Sequence, residues 1–72
     1  METSTIIYFW VNGQKYYTRK TITLAELVNY FDYTYTLLVL EHNLTVCNQQ
    51  SWHKISISNL DQIELVTIVG GG

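Results

Sequence analysis

The chain has 72 residues, of which 47% are hydrophobic and 14% are charged, and its formal net charge is −2. A chain of this length forms one small domain and buries only roughly 60% of its unfolded surface, which excludes most self-contained enzymes. Four basic residues stand against six acidic ones, and no basic cluster is larger than Arg19-Lys20. This charge distribution lacks the positive stripe of a nucleic-acid-binding protein, so no nucleic-acid partner is expected.

The first apolar stretch, residues 6–11, is too short to span a membrane, and no positively charged region precedes it. We therefore expect neither a secretory signal nor membrane insertion. Proline is absent and alanine occurs once, a bias typical of AT-rich coding. The expected location is the cytoplasm, or the stroma of an organelle if the gene is carried by a plastid.

A β-hairpin is predicted near the start of the chain. Residues 6–11 are β-branched or aromatic, which favours a strand over a helix. The dipeptide Asn12-Gly13 follows, and its residues tolerate the positive φ angles of a type I′ turn. The second strand is expected at about residues 15–19. Period-two alternation places three side chains of the first strand in the core: Ile7, Phe9 and Val11.

An amphipathic helix is predicted to begin after Thr23. Thr23 and Glu26 have the spacing of a capping box, which satisfies two free N–H groups at a helix start. Apolar residues then follow at positions i, i+3, i+4 and i+7 and form one stripe: Leu24, Leu27, Val28 and Phe31. The helix is expected to end near Phe31 or Tyr33.

The second half of the chain predicts further strands. Residues 37–40 form a short apolar run, and the polar Glu41-His42-Asn43 after it predicts a turn. Residues 44–46 are expected to pair back as a short strand. A second turn is predicted at Asn59-Leu60-Asp61, before the longest strand signal of the chain at residues 62–69.

The predicted order of elements is β-β-α-β-(β)-β. We interpret it as an α+β architecture, a mixed sheet of four to five strands packed on one main helix. Residues 1–69 are expected to form a single domain, and residues 70–72 a flexible tail. The positions that satisfy the strand and helix periods together make up the predicted core: Ile7, Phe9, Val11, Leu24, Leu27, Val28, Phe31, Ile63 and Leu65.

Three glycines follow the last predicted strand. Because glycine has no Cβ, the segment Gly70-Gly71-Gly72 suits a tail that threads a channel too narrow for side chains. The candidate reactive group is then the α-carboxylate of Gly72. A frayed end without any chemistry explains a glycine-rich terminus as well. A phosphate-binding loop is excluded, since that role needs a helix after the glycines.

The cysteine, the histidines and the carboxylates near the last strand, which we call the versatile side chains, predict no second reactive or metal-binding site. Cys47 has neither a neighbouring positive charge nor a helix N-terminus, so we interpret it as an ordinary small residue. His42 and His53 lack partners at zinc-ligand spacing, so no metal site is expected and both are interpreted as surface or turn residues. Asp61 and Glu64 are more typical of solvated carboxylates than of an acid–base pair.

Several segments of the chain together resemble the ThiS family of thiamine-biosynthesis sulfur carriers. The resemblance lies in the turn Val11-Asn12-Gly13-Gln14, the helix start at residues 23–27, the segment around Trp52, and residues 61–72. The terminal strand and diglycine are also shared with small subunits of molybdopterin synthase and with ubiquitin-like proteins. The resemblance implies a ubiquitin-like β-grasp fold.

The resemblance also implies carrier chemistry at Gly72, with Gly70 and Gly71 threading the partner's site. An E1-like adenylyltransferase would use ATP and magnesium to convert the Gly72 carboxylate to an acyl-adenylate. A persulfide from a sulfur donor such as a cysteine desulfurase would then yield a thiocarboxylate, which a thiazole synthase would consume. On this interpretation the chain binds no cofactor itself and is a protein cosubstrate, not an enzyme.

The last strand also predicts where partners bind. Val66 and Ile68 share the face of Glu64, opposite the core, so these three residues are candidates for a partner-binding patch beside the tail. Three alternatives stay open: a sulfur carrier for another pathway such as molybdopterin synthesis, a ubiquitin-like protein modifier, and a non-reactive β-grasp interaction module.

Overall fold

The computed structural model describes residues 5–31 and 38–67. These residues form five strands, one α-helix and a short 3₁₀-helix at Gln49–Ser51. The elements in chain order are β1 (Ile7–Val11), β2 (Gln14–Thr18), α1 (Leu24–Tyr30), β3 (Leu38–His42), β4 (Thr45–Cys47) and β5 (Asp61–Thr67).

The strands form one mixed sheet in the order β2-β1-β5-β3-β4. β1 and β5 are parallel, and the other three neighbouring pairs are antiparallel. The predicted α+β architecture with five strands and one main helix is therefore confirmed. The expected tail at residues 70–72, the limit of the domain at residue 69 and the first residue of the apolar run, Leu37, lie outside the described residues.

The first hairpin and the helix start have the predicted local structure. Asn12 and Gly13 have φ angles of 52° and 82°, as a type I′ turn requires. At the helix start, the Glu26 N–H donates to Thr23 Oγ1 at 3.1 Å, and the Thr23 N–H donates to Glu26 Oε1 at 2.8 Å. Both halves of the capping box are present. The helix ends at Tyr30 with Phe31 as its C-cap, close to the predicted limit.

The second hairpin turn is shifted from its predicted place. Glu41 and His42 do not turn but belong to β3, because pairing with β5 continues to His42 opposite Ile63. The turn is Asn43-Leu44, with φ angles of 52° and 71°. The prediction failed because polarity was used to locate the turn, whereas an apolar leucine occupies its second position. β4 therefore begins at Thr45.

The core lies between the helix and one face of the sheet. Seven of the nine predicted core residues are buried, while Ile7 and Phe31 are half-buried and pack against the rest. Three further residues complete the core: Leu40, Trp52 and Ile57. Burial of the Trp52 indole leaves no unpaired donor, since its Nε1 donates to the carbonyl of Cys47 at 3.0 Å. In the described part of the chain, no helix has the length and hydrophobicity needed to cross a bilayer.

Candidate functional site

β5 is the strand that leads toward the glycine segment, and it lies at the centre of the sheet. On one side it pairs with β1, from Phe9 opposite Asp61 to Val11 opposite Ile63. On the other side it pairs with β3, ending with Leu38 opposite Thr67. The predicted site residues Ile68, Gly70, Gly71 and Gly72 lie outside the described residues. The described part of the site is therefore β5 itself and the groups that hold it.

Asn12 holds β5 beyond the end of β1. Its N–H donates to the carbonyl of Ile63 at 2.9 Å. Its side-chain Oδ1 accepts the N–H of Leu65 at 2.7 Å, and its Nδ2 donates to the carbonyl of Leu65 at 3.2 Å. The amide side chain thus continues the β1–β5 hydrogen bonding where the backbone of β1 has turned away. From the sequence Asn12 was assigned only as a turn residue.

Asn43 holds the other end of β5 from the opposite side. Its N–H donates to the carbonyl of Gln62 at 2.8 Å, and its Oδ1 accepts the N–H of Gln62 at 2.8 Å. Its Nδ2 donates to Asp61 Oδ1 at 3.0 Å. We refer to Asn12 and Asn43 as the two asparagine clamps. The sequence signal for both is an asparagine at the first position of a two-residue turn, which favours positive φ.

Asp61 is the buried polar centre beside the Asn43 clamp, with 6% of its surface exposed. Besides Asn43, it accepts hydrogen bonds from the Ser58 N–H at 2.8 Å and from His42 Nε2 at 2.7 Å. The sequence-based interpretation of a solvated Asp61 is therefore wrong. Pairing of β1 and β5 directs the side chain inward at the start of the strand, where turn and hairpin donors surround it.

These donors also set the acidity of Asp61. Burial by itself would raise the pKa of this carboxyl group. The hydrogen bonds from the Ser58 N–H, Asn43 and His42 outweigh burial, because they stabilise the charged form, and the pKa lies below its ordinary value of 3.8. Asp61 is accordingly a charged structural group that ties the turn before β5 to the end of β3.

The outer face of β5 carries the predicted partner-binding candidates Glu64 and Val66. Both are exposed, and 53% of the Val66 surface is accessible. Across the β3–β5 pairing, Val66 lies opposite Val39, and Glu64 lies opposite Glu41. We call these four residues the outer patch. Two like charges directly opposite each other weaken a sheet, so the glutamate pair is not explained by stability.

The structure does not bring the other versatile side chains into one site. Asp61 and Glu64 lie on opposite faces of β5, as their burial shows, so they do not form an acid–base pair. His42 is neither a turn residue nor fully exposed, because it lies in β3 against Asp61. Cys47 is half-buried against the core, and His53 is exposed. Within residues 5–31 and 38–67, no three potential metal-binding side chains cluster.

Comparison with known proteins identifies related chains. The model of the ThiS family matches residues 9–72. The chain is 59% identical to the uncharacterized protein ycf40 of Trieres chinensis, with 96% of this chain and 94% of that protein covered. It is 32% identical to the uncharacterized protein ycf40 of Porphyra purpurea, with 86% and 87% covered.

A solved structure has the same fold. The crystal structure of the thiamine biosynthesis protein (ThiS) from Geobacter metallireducens matches with a TM-score of 0.78. The match covers 92% of this chain and all of that one, at 19% sequence identity. This likeness confirms the predicted β-grasp fold.

Proposed function

Because this chain belongs to the ThiS family, we propose that it is a sulfur carrier whose Gly72 carboxylate is converted to a thiocarboxylate. The observation that carries the proposal is that the family match continues through Gly70, Gly71 and Gly72. These glycines follow the strand that both asparagine clamps hold. A rigid strand followed by residues without a Cβ suits delivery of a carboxylate into a narrow site of another protein.

The proposed reaction replaces one carboxylate oxygen by sulfur. An oxygen of the Gly72 carboxylate attacks the α-phosphorus of ATP, and pyrophosphate leaves. The terminal sulfur of a donor persulfide then attacks the acyl carbon, and AMP leaves. A thiol finally attacks the donor sulfur of the S–S bond, which forms a disulfide with the donor and releases the thiocarboxylate.

We assign the activation machinery to the partners. An E1-like adenylyltransferase would bind ATP and magnesium, a cysteine desulfurase would supply the persulfide, and a thiazole synthase would accept the sulfur for thiamine. The chain acts as a cosubstrate in each step, because its contribution is a positioned carboxylate. The name of the structural neighbour, a thiamine biosynthesis protein, favours thiazole formation over the molybdopterin alternative.

The direct test is the intact mass of the chain after incubation with the adenylyltransferase, ATP, magnesium and the sulfur donor. We expect a gain equal to the difference between one sulfur and one oxygen atom, located on Gly72 by fragmentation. Sulfur found on Cys47 instead, or no gain with an active partner, would contradict the proposal.

Two changes of tail length test the position of the carboxylate. Deleting Gly72 moves the carboxylate by up to about 3.6 Å along an extended chain, enough to misalign it with ATP. One residue added after Gly72 misplaces it in the other direction. Both variants should keep the fold and lose sulfur transfer, while the control Cys47→Ser should react like the native chain.

We further propose that Glu64, Val66 and Ile68 contact the adenylyltransferase. The outer patch combines the exposed Val66 and the half-buried Val39 with two carboxylates, which suits a partner that presents apolar and positively charged side chains. Val66→Lys removes an apolar contact and places a positive charge against that partner, so it should weaken the complex more than it lowers the stability of the fold. Leu60→Lys is the matched control, since Leu60 is similarly exposed but lies in the turn before β5, at the other end of that strand from Val66. Equal binding by both variants in a titration would remove the patch from the proposal.

The recipient of the sulfur separates the remaining alternatives. Purified thiocarboxylate should support thiazole formation by the thiazole synthase and should not support molybdopterin formation. Covalent attachment of the chain to lysines of other proteins through Gly72, seen as ladders of increasing mass, would instead identify a protein modifier.

A further inference from the structure

A second surface, on the far side of β1 from β5, has the features of a peptide-binding groove. β2 forms one edge of the sheet. Two cavities of about 510 and 600 Å³ lie along it and adjoin each other. We call the combined lining of the two cavities the edge groove. Five of its residues line both cavities: Tyr16, Tyr17, Thr18, Lys20 and Tyr30.

The backbone of β2 directs hydrogen-bonding groups into this groove. A two-residue hairpin closes on a hydrogen-bonded pair, here Val11 and Gln14, and such pairs then alternate with non-hydrogen-bonded ones. Lys15 and Tyr17 belong to the non-hydrogen-bonded set. Their N–H and C=O groups therefore point away from β1, toward an edge on which no other described strand pairs, and another extended chain can pair with them there.

Aromatic rings form an apolar wall from the core to the surface of the groove. Tyr16 stacks on Phe9 with ring centroids 6.0 Å apart and meets Phe31 edge-to-face at 5.2 Å. Phe31 in turn meets Tyr30 at 5.4 Å. Tyr30 is 79% exposed. This wall offers contacts to alternate apolar side chains of a bound strand, which is how added strands gain specificity.

The charge of the groove is opposite to that of the whole chain. The net charge is −2, yet three of the four basic residues of the sequence lie on β2 or directly after it: Lys15, Arg19 and Lys20. All three line the groove, and among the described residues Glu26 is the one acidic residue of its lining. A segment with carboxylates is therefore attracted to it.

We propose that the edge groove binds an extended acidic segment of a partner protein, which adds a sixth strand to the sheet along β2. The proposal does not depend on sulfur transfer, because β1 separates this edge from the strand that leads to Gly72. Lysines on an edge strand also guard against aggregation. Guarding alone predicts no bound peptide, so the two roles make different predictions.

The test uses a defined probe, a synthetic peptide of about eight residues with valines and isoleucines at its centre and aspartates at both ends. Titration of the full chain followed by ¹H–¹⁵N NMR should shift the amide signals of Lys15 and Tyr17 most, and signals of β4 little. The same peptide N-methylated at alternate backbone nitrogens should bind at least about tenfold more weakly, since it cannot complete the strand pairing. Equal binding of both peptides would overturn the proposal.

Charge-reversal variants test the basic rim. Arg19→Glu combined with Lys20→Glu should weaken peptide binding by about tenfold, because two attractions become repulsions. Lys54→Glu is the matched control, since Lys54 is the one basic residue outside the groove, and binding should change less than about twofold. Circular dichroism confirms the fold of each variant. Equal weakening by the control, no saturable binding, or pairing of two copies of this chain through β2 in analytical ultracentrifugation would each overturn the proposal.

Discussion

The two hairpin turns of this protein do the same work from opposite sides of β5 but differ in one residue. In each turn an asparagine with a φ of 52° donates its N–H to a carbonyl of β5 and accepts an N–H of β5 on its Oδ1. The next residue is Gly13 in the first turn and Leu44 in the second. Gly13 adopts positive φ without strain, whereas Leu44 does so at a steric cost.

The difference shows that tertiary hydrogen bonds can determine a turn that its residues do not favour. The Leu44 side chain is 90% exposed, so packing of this side chain does not offset the strain of its backbone. The hydrogen bonds of the Asn43 clamp offset the strain at Leu44, since the Asn43 amide joins the backbone of Gln62 to the buried carboxylate of Asp61. Among the described residues, the side chain of Asn12 hydrogen-bonds only to backbone groups of Leu65. The second turn therefore depends more strongly on its polar partners.

The largest effect is expected from removal of the group that distinguishes the second clamp. Asp61→Ala leaves the Ser58 N–H, Asn43 and His42 without their acceptor, which should lower the free energy of unfolding by about 3 kcal/mol. Urea denaturation at neutral pH measures the loss. Glu64→Ala removes the same charge from the exposed face of the same strand and should change stability by less than about 0.5 kcal/mol. Similar losses in both variants would show that the network contributes nothing specific.

Removing the first clamp should lower the free energy of unfolding by less. Asn12→Ala removes two hydrogen bonds to Leu65 and introduces strain at positive φ, for an expected loss of about 2 kcal/mol. Amide hydrogen exchange at Leu65 should accelerate with it. Asn12→Gly also lacks the amide group but avoids the strain at positive φ. It should therefore lose only about half as much stability as Asn12→Ala. Full recovery with glycine would mean that Asn12 acts only through its turn.

Acid should weaken the second clamp and spare the first. The pKa of Asp61 in the folded chain is lowered below 3.8, so its stabilising contribution is present above that ordinary value. The contribution is lost as the pH falls from about 3.8 through the lower folded pKa. The loss should be smaller than in Asp61→Ala, because a protonated carboxyl group still accepts hydrogen bonds. Comparing urea denaturation of the native chain and Asp61→Asn between neutral pH and pH about 3 tests this, since the variant should lose less stability.

The smallest effects come from exchanging the second turn residues. Leu44→Gly should stabilise the protein by about 1 kcal/mol, because it removes strain at positive φ and little packing. Gly13→Ala should destabilise it by a similar amount. A Cβ at Gly13 would meet no atom within 4 Å, so that variant reports the backbone cost by itself. Thermal unfolding of both variants checks the opposite signs, and a loss of stability in Leu44→Gly would refute the strain at this turn.

Predictions from the sequence succeeded where neighbouring residues determine the outcome. The Asn12-Gly13 turn and the Thr23–Glu26 capping box depend on residues within one turn of each other, and both are confirmed. Alternation along β5 correctly placed Ile63 and Leu65 inside and Glu64 outside. The ThiS resemblance, which depended on motifs spread over the chain, is confirmed by the family match.

Predictions failed where residues distant in the sequence decide the environment. Asp61 was interpreted as solvated because it flanks a strand, but it is buried and accepts hydrogen bonds from His42 and Asn43, about twenty positions away in the sequence. Phe31 continued the apolar stripe of the helix, yet it is only half-buried because the helix ends before it, beside the edge groove. Trp52 was absent from the predicted core, yet it is buried there. Its burial depends on a carbonyl of the preceding strand.

The sequence by itself determined the order of strands and helix, the faces of β5 and the family, because periodicity, caps and short motifs are local properties. It also singled out Gly72 as the candidate reactive residue. The tertiary structure alone decided that two turn asparagines clamp the central strand, that Asp61 is a buried charge, and that β2 is a basic strand at the edge of the described sheet. Each of these depends on hydrogen bonds or surfaces between segments that the chain brings together only when the sheet forms, and no local pattern encodes such partners.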